Sequence, residues 1–358
     1  MKAENKEKHH INGFDSLRGL MALWVAAAHT FMTFDMNVPS SIKSVLNVAF
    51  AVDVFIILSG FVIFLLLDTQ REKYVPFIVR RAFRLFPVYL IALFISAFTI
   101  EWQIEVWKSI ESSGRYFSGR LNTLEETYNN FWPHLSAHLF LLQGLFSETL
   151  KYSDYTFLEP AWSLSLEWQF YLVAPLLFYS YTNTKKQIWL VLFAITMAAT
   201  YGFFDAGYLS NNLHFFIVGM ASYYMFKHRD TPLQKALPLV ILCIAITLRS
   251  VPLTIWFATF YGLIGSSWFC NITQRVLNVP ALVYLGKISY PIYVIHTLCI
   301  YPMYVLMDVV LTAPSSIFAT IAGTLVLTIS LSAVIHHWIE IPLIKHGKAL
   351  SKSLGKWT

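Results

Sequence analysis

A histidine in the middle of an apolar run is the first residue here that could do chemistry. In "FDSLRGLMALWVAAAH" Arg18 and His29 stand eleven residues apart, 29 − 18. That is about 1,100° of helical rotation, three turns plus roughly 20°, so the two side chains share one face about 16 Å apart along the axis. Asp15, three residues before Arg18, can pair with it on that face. Imidazole is the one side chain whose ordinary pKa allows proton exchange near neutrality. At membrane depth it must face a bundle interior or a wet cavity, because lipid offers no hydrogen-bond partner. Two readings stand on these residues alone: a packed histidine bonded to a neighbouring helix, or an acid–base group.

Asp53, in "FAVDVFIILSGF", bears on that choice. If this segment runs inward from the outer edge, Asp53 lies about seven residues, or ~10 Å, deep. His29 reaches a similar depth from the other side, so the two could form an orienter–base pair. Otherwise Asp53 is a helix-end carboxylate that caps or snorkels outward. Ser59-Gly60 provides a small point where a helix or a ligand can approach closely.

In "VRRAFRLFPVY" Arg81 and Arg84 are one helical turn apart, with Arg80 beside them. Guanidinium forks grip phosphate bidentately, although a cytoplasmic charge anchor would look the same. In "LEPAWSLSLEWQFYLVAP" Glu167, at the outer mouth of its segment, is flanked by Trp162, Ser163 and Trp168. A carboxylate among indoles can take sugar hydroxyls and sugar faces, and aromatic belts put tryptophan there as well. "GKISYPIYVIH" carries His296 into the membrane, and "HHWIEIP" puts Glu340 at the inner edge, where it could pair a loop arginine. His134 and His138 have the i,i+4 spacing of metal ligands without a third ligand in sight, so no metal is expected.

The segments that must carry these residues are apolar. Of 358 residues, 56% are hydrophobic and 13% charged, against about 25% charged in soluble domains. Runs of spanning length fall near 17–35, 46–67, 85–101, 166–182, 187–204, 208–226, 236–250, 252–269, 288–308 and 314–338. This predicts an all-α polytopic membrane bundle of about ten transmembrane helices, one domain over 1–358. A further apolar stretch near 133–147 is expected to be re-entrant or interfacial.

Loop charge orients the bundle. The 71–84 stretch holds Arg71, Lys73, Arg80, Arg81 and Arg84 against Glu72, and the tail from Lys345 holds four lysines and no acid. Both belong on the cytoplasmic side. The long 102–165 region, with four basic and seven acidic residues, suits the outside. Both termini are therefore expected in the cytoplasm, with no cleaved signal peptide. The net charge of +6 lies in these short loops and so does not point to nucleic acid. Three separated cysteines without a CxxC predict packing rather than disulfides. No P-loop, dinucleotide fingerprint or nucleophile elbow is present.

Taken in order, Arg18-x10-His29, "VDVFIILSGF", Arg81-x-x-Arg84, "WSLSLEWQFYL", "SYPIYVIH" and "IEIP" resemble the acyltransferase-3 family. These are bacterial membrane enzymes that O-acylate, mostly O-acetylate, surface glycans and some small molecules. The marks cover nearly the whole chain and follow the stand-alone membrane form; Ile56 replaces the second phenylalanine of the family's "FFxLSGF". The resemblance implies a multi-pass enzyme of the bacterial inner membrane with cytoplasmic acetyl-CoA as donor and a glycan or glycolipid hydroxyl as acceptor. It implies that Arg81, Arg84 and Arg80 hold the acyl-CoA phosphates, and that Arg18 binds phosphate or braces the bundle through Asp15. His29, oriented by Asp53, would deprotonate the acceptor or carry the acyl group, and Glu167 with the outer aromatics would receive the glycan. The competing classes are a transporter or flippase of glycan or lipid precursors, with buried His and Asp relaying protons, and a non-catalytic scaffold of glycan assembly.

Overall fold

The computed structural model describes residues 11–33, 47–109, 115–229, 231–265, 267–310 and 316–357, and the described residues form helices joined by short turns, with no strand among them. A helix occupies each of the ten predicted segments. These are α1 (Asn12–Thr33), α2 (Val48–Gln70), α3 (Tyr74–Phe98), α7 (Ala161–Thr182), α8 (Ile188–Ala199), α9 (Leu209–Lys227), α10 (Pro232–Thr247), α11 (Val251–Ile264), α14 (Ser289–Val310) and α15 (Ser316–Ile335). Between them lie α4 (Ile100–Ser109), α5 (Arg115–Asn129), α6 (Phe131–Leu139), α12 (Trp268–Leu277) and α13 (Pro280–Lys287), and the chain ends in α16 (Ile341–Trp357).

By length and apolarity, three described helical stretches suffice to cross a membrane: α2, Ser289–Met307 and Phe318–Gly355. The number rises to five if the bent pairs α3–α4 and α11–α12 each count as one span. The other predicted segments are helical but short or polar. Helix α8 has 12 residues, a rise of about 18 Å against a ~30 Å hydrocarbon core, while α1 carries Asp15, Arg18 and His29. Helix α6, over the predicted interfacial segment, has 9 residues and is too short to cross.

Two sequence boundaries move. The 71–84 stretch is mostly helix: only residues 71–73 separate α2 from α3, and Arg71 turns the chain in the left-handed region at φ 47°. Pro76 falls in the first turn of α3, where the missing N–H costs nothing, so all three arginines ride on a helix. The 102–165 region is helical through α4, α5 and α6 before it becomes a run of turns.

Helix α2 is the axis of the bundle and packs against α1, α7, α9 and α11. Small residues allow the closest crossings. A Cβ on Gly60 would lie 2.5 Å from the Phe216 carbonyl oxygen, and one on Gly219 would lie 2.1 Å from that of Ile57, so α2 and α9 meet backbone to backbone. Phe14, Phe61, Trp256 and Phe260 close the space between α1, α2 and α11, with Phe14 stacked on Trp256 at 5.6 Å. At the periphery, α8 has no buried residue and presents Ile188, Trp189, Val191, Leu192 and Ile195 outward. That is the surface a helix shows to lipid.

Candidate active site

Helix α1 carries Arg18 and His29 toward different neighbours. Arg18 lines a cavity of about 440 Å³ and lies 3.7 Å from Asp15. His29 is buried, and its Nδ1 is 2.8 Å from Nε2 of His296 on α14, with the two ring planes 6° apart. The ring Nδ1 of His296 is 2.8 Å from the Tyr293 carbonyl oxygen, one turn back. A carbonyl only accepts, so Nδ1 of His296 holds the proton and its Nε2 accepts. For two neutral rings, Nδ1–H of His29 must then donate, and Nε2 of His29 carries the lone pair. The backbone of α14 thereby fixes the tautomer of His296.

Asp53 does not orient His29. No described hydrogen bond or ion pair joins them; the carboxylate acting electrostatically on His29 is Glu159, together with the Arg120 guanidinium. Nor does Asp53 reach the cavity: Val52, Phe55, Ile56, Ser59, Val62 and Ile63 form the α2 stripe that lines it, and Asp53 lies roughly 120° around the helix from the centre of that stripe. Matched depth on consecutive helices said nothing about facing.

The cavity brings most of the other expected residues together: Arg18, Arg81, Arg84, Ser163 and Glu167 all line it, along with Ser59, Tyr171, Ser289, Tyr290, Tyr293 and Lys348. Arg81 stands over the rings of Phe77 and Tyr171 at 5.7 and 5.8 Å. Arg84 is bonded to Glu340, which the sequence left to pair a loop arginine. Glu340 sits in a π turn, His336–Glu340, between α15 and α16 and also takes His336 at 2.6 Å. Widened turns of this kind recur at functional sites. Arg80 is elsewhere: it pairs with Glu72 at 2.7 Å and does not line the cavity.

Glu167 shares this cavity with the arginines. There Ser59 Oγ donates to it at 3.2 Å and the Tyr171 hydroxyl donates to the same oxygen. Trp162 packs in the apolar core and does not line the cavity, while Trp168 meets Phe86 edge-on at 5.1 Å.

The cavity stops short of His29. Its upper wall includes Phe55, Ser163 and Tyr293; the Ser163 and Tyr293 hydroxyls are 2.6 Å apart and Phe55 meets the Tyr293 ring edge-on at 5.4 Å. The Tyr293 ring is in turn 6.2 Å from that of His296. Tyr293 thus lines the basic cavity and also neighbours the histidine pair.

The turns before α7 also touch this wall, where the Tyr293 hydroxyl donates to the Pro160 carbonyl at 3.4 Å. Phe157 is fully buried at φ 51°, a strained setting for an aromatic residue. It is held by its carbonyl, which accepts from Ser96 Oγ at 2.7 Å and from Arg120. This turn delivers Glu159 and Pro160, whose carbonyl accepts from Ser163 at 3.1 Å. His138 is consumed here structurally, with ring nitrogens at Tyr89, the Ser153 carbonyl and Thr156.

Tyr293 and Lys348 are the residues that sequence reading missed, and His296 was noticed without a role. A signal existed for two of them. Tyr290, Tyr293 and His296 recur every three residues in "SYPIYVIH" and share one helix face.

The sequence model of a family described as an acyltransferase domain matches residues 11–335. No curated protein and no solved structure matches the chain. The matched stretch contains the histidine pair, the arginines of the cavity and Tyr293; the chain belongs to the acyltransferase-3 family, whose members are membrane acyltransferases.

Proposed function

We propose that this chain moves an acetyl group from cytoplasmic acetyl-CoA to a hydroxyl of a cell-surface or lipid-linked glycan, in a bacterial inner membrane with both termini in the cytoplasm. The observation that carries the reading is the junction of two unlike sites on the same pair of helices. A cavity with Arg18, Arg81 and Arg84 on its walls is also lined by Tyr293, whose ring is 6.2 Å from that of His296 in the histidine pair. Guanidinium groups suit the donor phosphates, and the apolar stripe of α2 suits the thin arm that bears the thioester.

In the direct course, Nε2 of His29 takes the proton of the acceptor hydroxyl as its oxygen bonds to the thioester carbonyl carbon. The C–S bond then breaks, and the proton on His29 passes to the departing thiolate. The products are the acetyl ester and free CoA thiol. In the stepwise course Nε2 bonds the acetyl carbon as the C–S bond breaks and CoA leaves as the thiolate; the hydroxyl oxygen then displaces Nε2 from the acetyl carbon, and its proton passes to the thiolate. His296 is a positioning residue in both, since it fixes which nitrogen of His29 is basic. Donor passage to His29 requires the Tyr293 side chain to turn from Ser163.

The test is incubation of the protein in vesicles with radiolabelled acetyl-CoA and bacterial glycan acceptors. Label in the glycan and stoichiometric free thiol, both lost in His29→Ala, are expected. Glycan or lipid movement without thiol release would instead assign a transporter.

A further inference from the structure

Helix α16, residues Ile341–Trp357, lies beyond the residues that the family model covers, yet it builds part of the cavity. Ile344 and Lys348, one turn apart, are both on the cavity wall. The helix is seated tightly. Gly347 is buried against α3, where a Cβ would lie 2.4 Å from Cβ of Phe83, and His346 packs on the Phe83 ring at 5.6 Å. With Gly347 pressed on α3, Lys348 is turned about 100° away, exposed and on the cavity wall.

The charges on the cavity wall give this lysine a purpose. Arg84 is bound to the buried Glu340, and Arg18 has Asp15 nearby. Glu167 adds a carboxylate of its own. Among the described lining residues, Arg81 and Lys348 are the cations with no ion-pair partner. A donor that carries a diphosphate and a ribose phosphate needs more positive charge than Arg81 supplies alone.

We propose that Lys348, presented by the C-terminal helix, binds the phosphate-bearing nucleotide end of the acyl donor at the mouth of the cavity. This rests on the acyl-CoA reading given above. A lysine at a membrane edge can equally contact an anionic lipid headgroup. Lys352, exposed on the same helix and absent from the cavity wall, separates the two sources of phosphate.

The experiment measures CoA affinity of the full chain in nanodiscs of zwitterionic phosphatidylcholine, with thermal melting as a check on folding. Lys348→Ala should weaken CoA binding about tenfold, the loss of one charge-assisted contact, with an unchanged melting profile. Lys348→Arg and Lys352→Ala should each stay within about twofold of the wild type. Undiminished CoA affinity in Lys348→Ala, or an equal loss in Lys352→Ala, would overturn the proposal while leaving the donor reading intact. A wild-type protein that binds no CoA would overturn both.

Discussion

The two ends of the site are held by the same helices and solve opposite problems. Helix α1 places Arg18 at the cavity and His29 at the other end; α14 places Tyr290 at the cavity and His296 beside His29. At the cavity, charge is managed by opposition: Arg84 with Glu340, Arg18 near Asp15, Glu167 among hydroxyls. At the histidine end, two rings and a backbone carbonyl form a hydrogen-bond chain, and the buried Arg120 guanidinium nearby is satisfied by the Tyr155 and Phe157 carbonyls instead of by a cavity. The difference teaches that one end is built from opposed charges around open space and the other from hydrogen bonds in close packing.

Loss of His29 should separate the ends most sharply. His29→Ala is expected to lower acyl transfer by at least about 10³-fold, with CoA affinity unchanged in a parallel binding measurement. His296→Ala should cost about 10- to 100-fold in kcat, with the KM for donor held, because the base survives but loses its tautomer control. A pH–rate profile should shift in that variant; an unshifted profile would leave His296 a packing residue.

Arg81 and Arg84 should not respond alike, although they are one turn apart. Arg81→Ala is expected to raise the donor Kd about tenfold or more with little change in stability. Arg84→Ala strands the buried Glu340 carboxylate, so it should lower stability by about 3–5 kcal/mol, seen as a fall in Tm. Equal effects on Kd and equal melting would remove the distinction between a binding and a bracing arginine.

The smallest effect is expected in the turns over residues 143–160. Burial pushes the Asp154 carboxyl from its ordinary 3.8 up to about 6. Its Oδ2 accepts the Gly207 N–H at 2.8 Å, while Oδ1 is buried without a hydrogen-bond partner. The folded state therefore holds this proton more tightly than the unfolded chain, and its contribution to stability falls as pH rises from about 4 to about 6. Hydrogen exchange over 143–160 should quicken across that window, and Asp154→Asn should flatten the change.

Much of this was legible in the sequence, for identifiable reasons. Apolar runs located a helix in each of the ten segments because burial and lipid both demand them, although only three to five of the described stretches are long and apolar enough to span, and the ordered motifs indicated the family. The i,i+3 and i,i+11 spacings placed Asp15, Arg18 and His29 on one helix, where geometry is local. What failed was facing between helices. Asp53 was expected at the depth of His29 yet makes no described bond to it, whereas His296 is distant in sequence and touches it. Glu167 was assigned to sugar by its indole neighbours; Trp162 and Trp168 pack into the bundle, and the carboxylate bonds Ser59 and Tyr171. Lys348 was counted as tail charge, because nothing local reveals that Gly347 presses its helix onto Phe83.

The most direct measurement is an experimental structure of the full chain with a non-hydrolysable acetyl-CoA analogue bound. The account predicts phosphates at Arg81, Tyr293 turned away from Ser163, and the acyl carbonyl carbon within about 3.5 Å of Nε2 of His29. An analogue bound in the cavity with Tyr293 still on Ser163 and its acyl end left below the wall would contradict it.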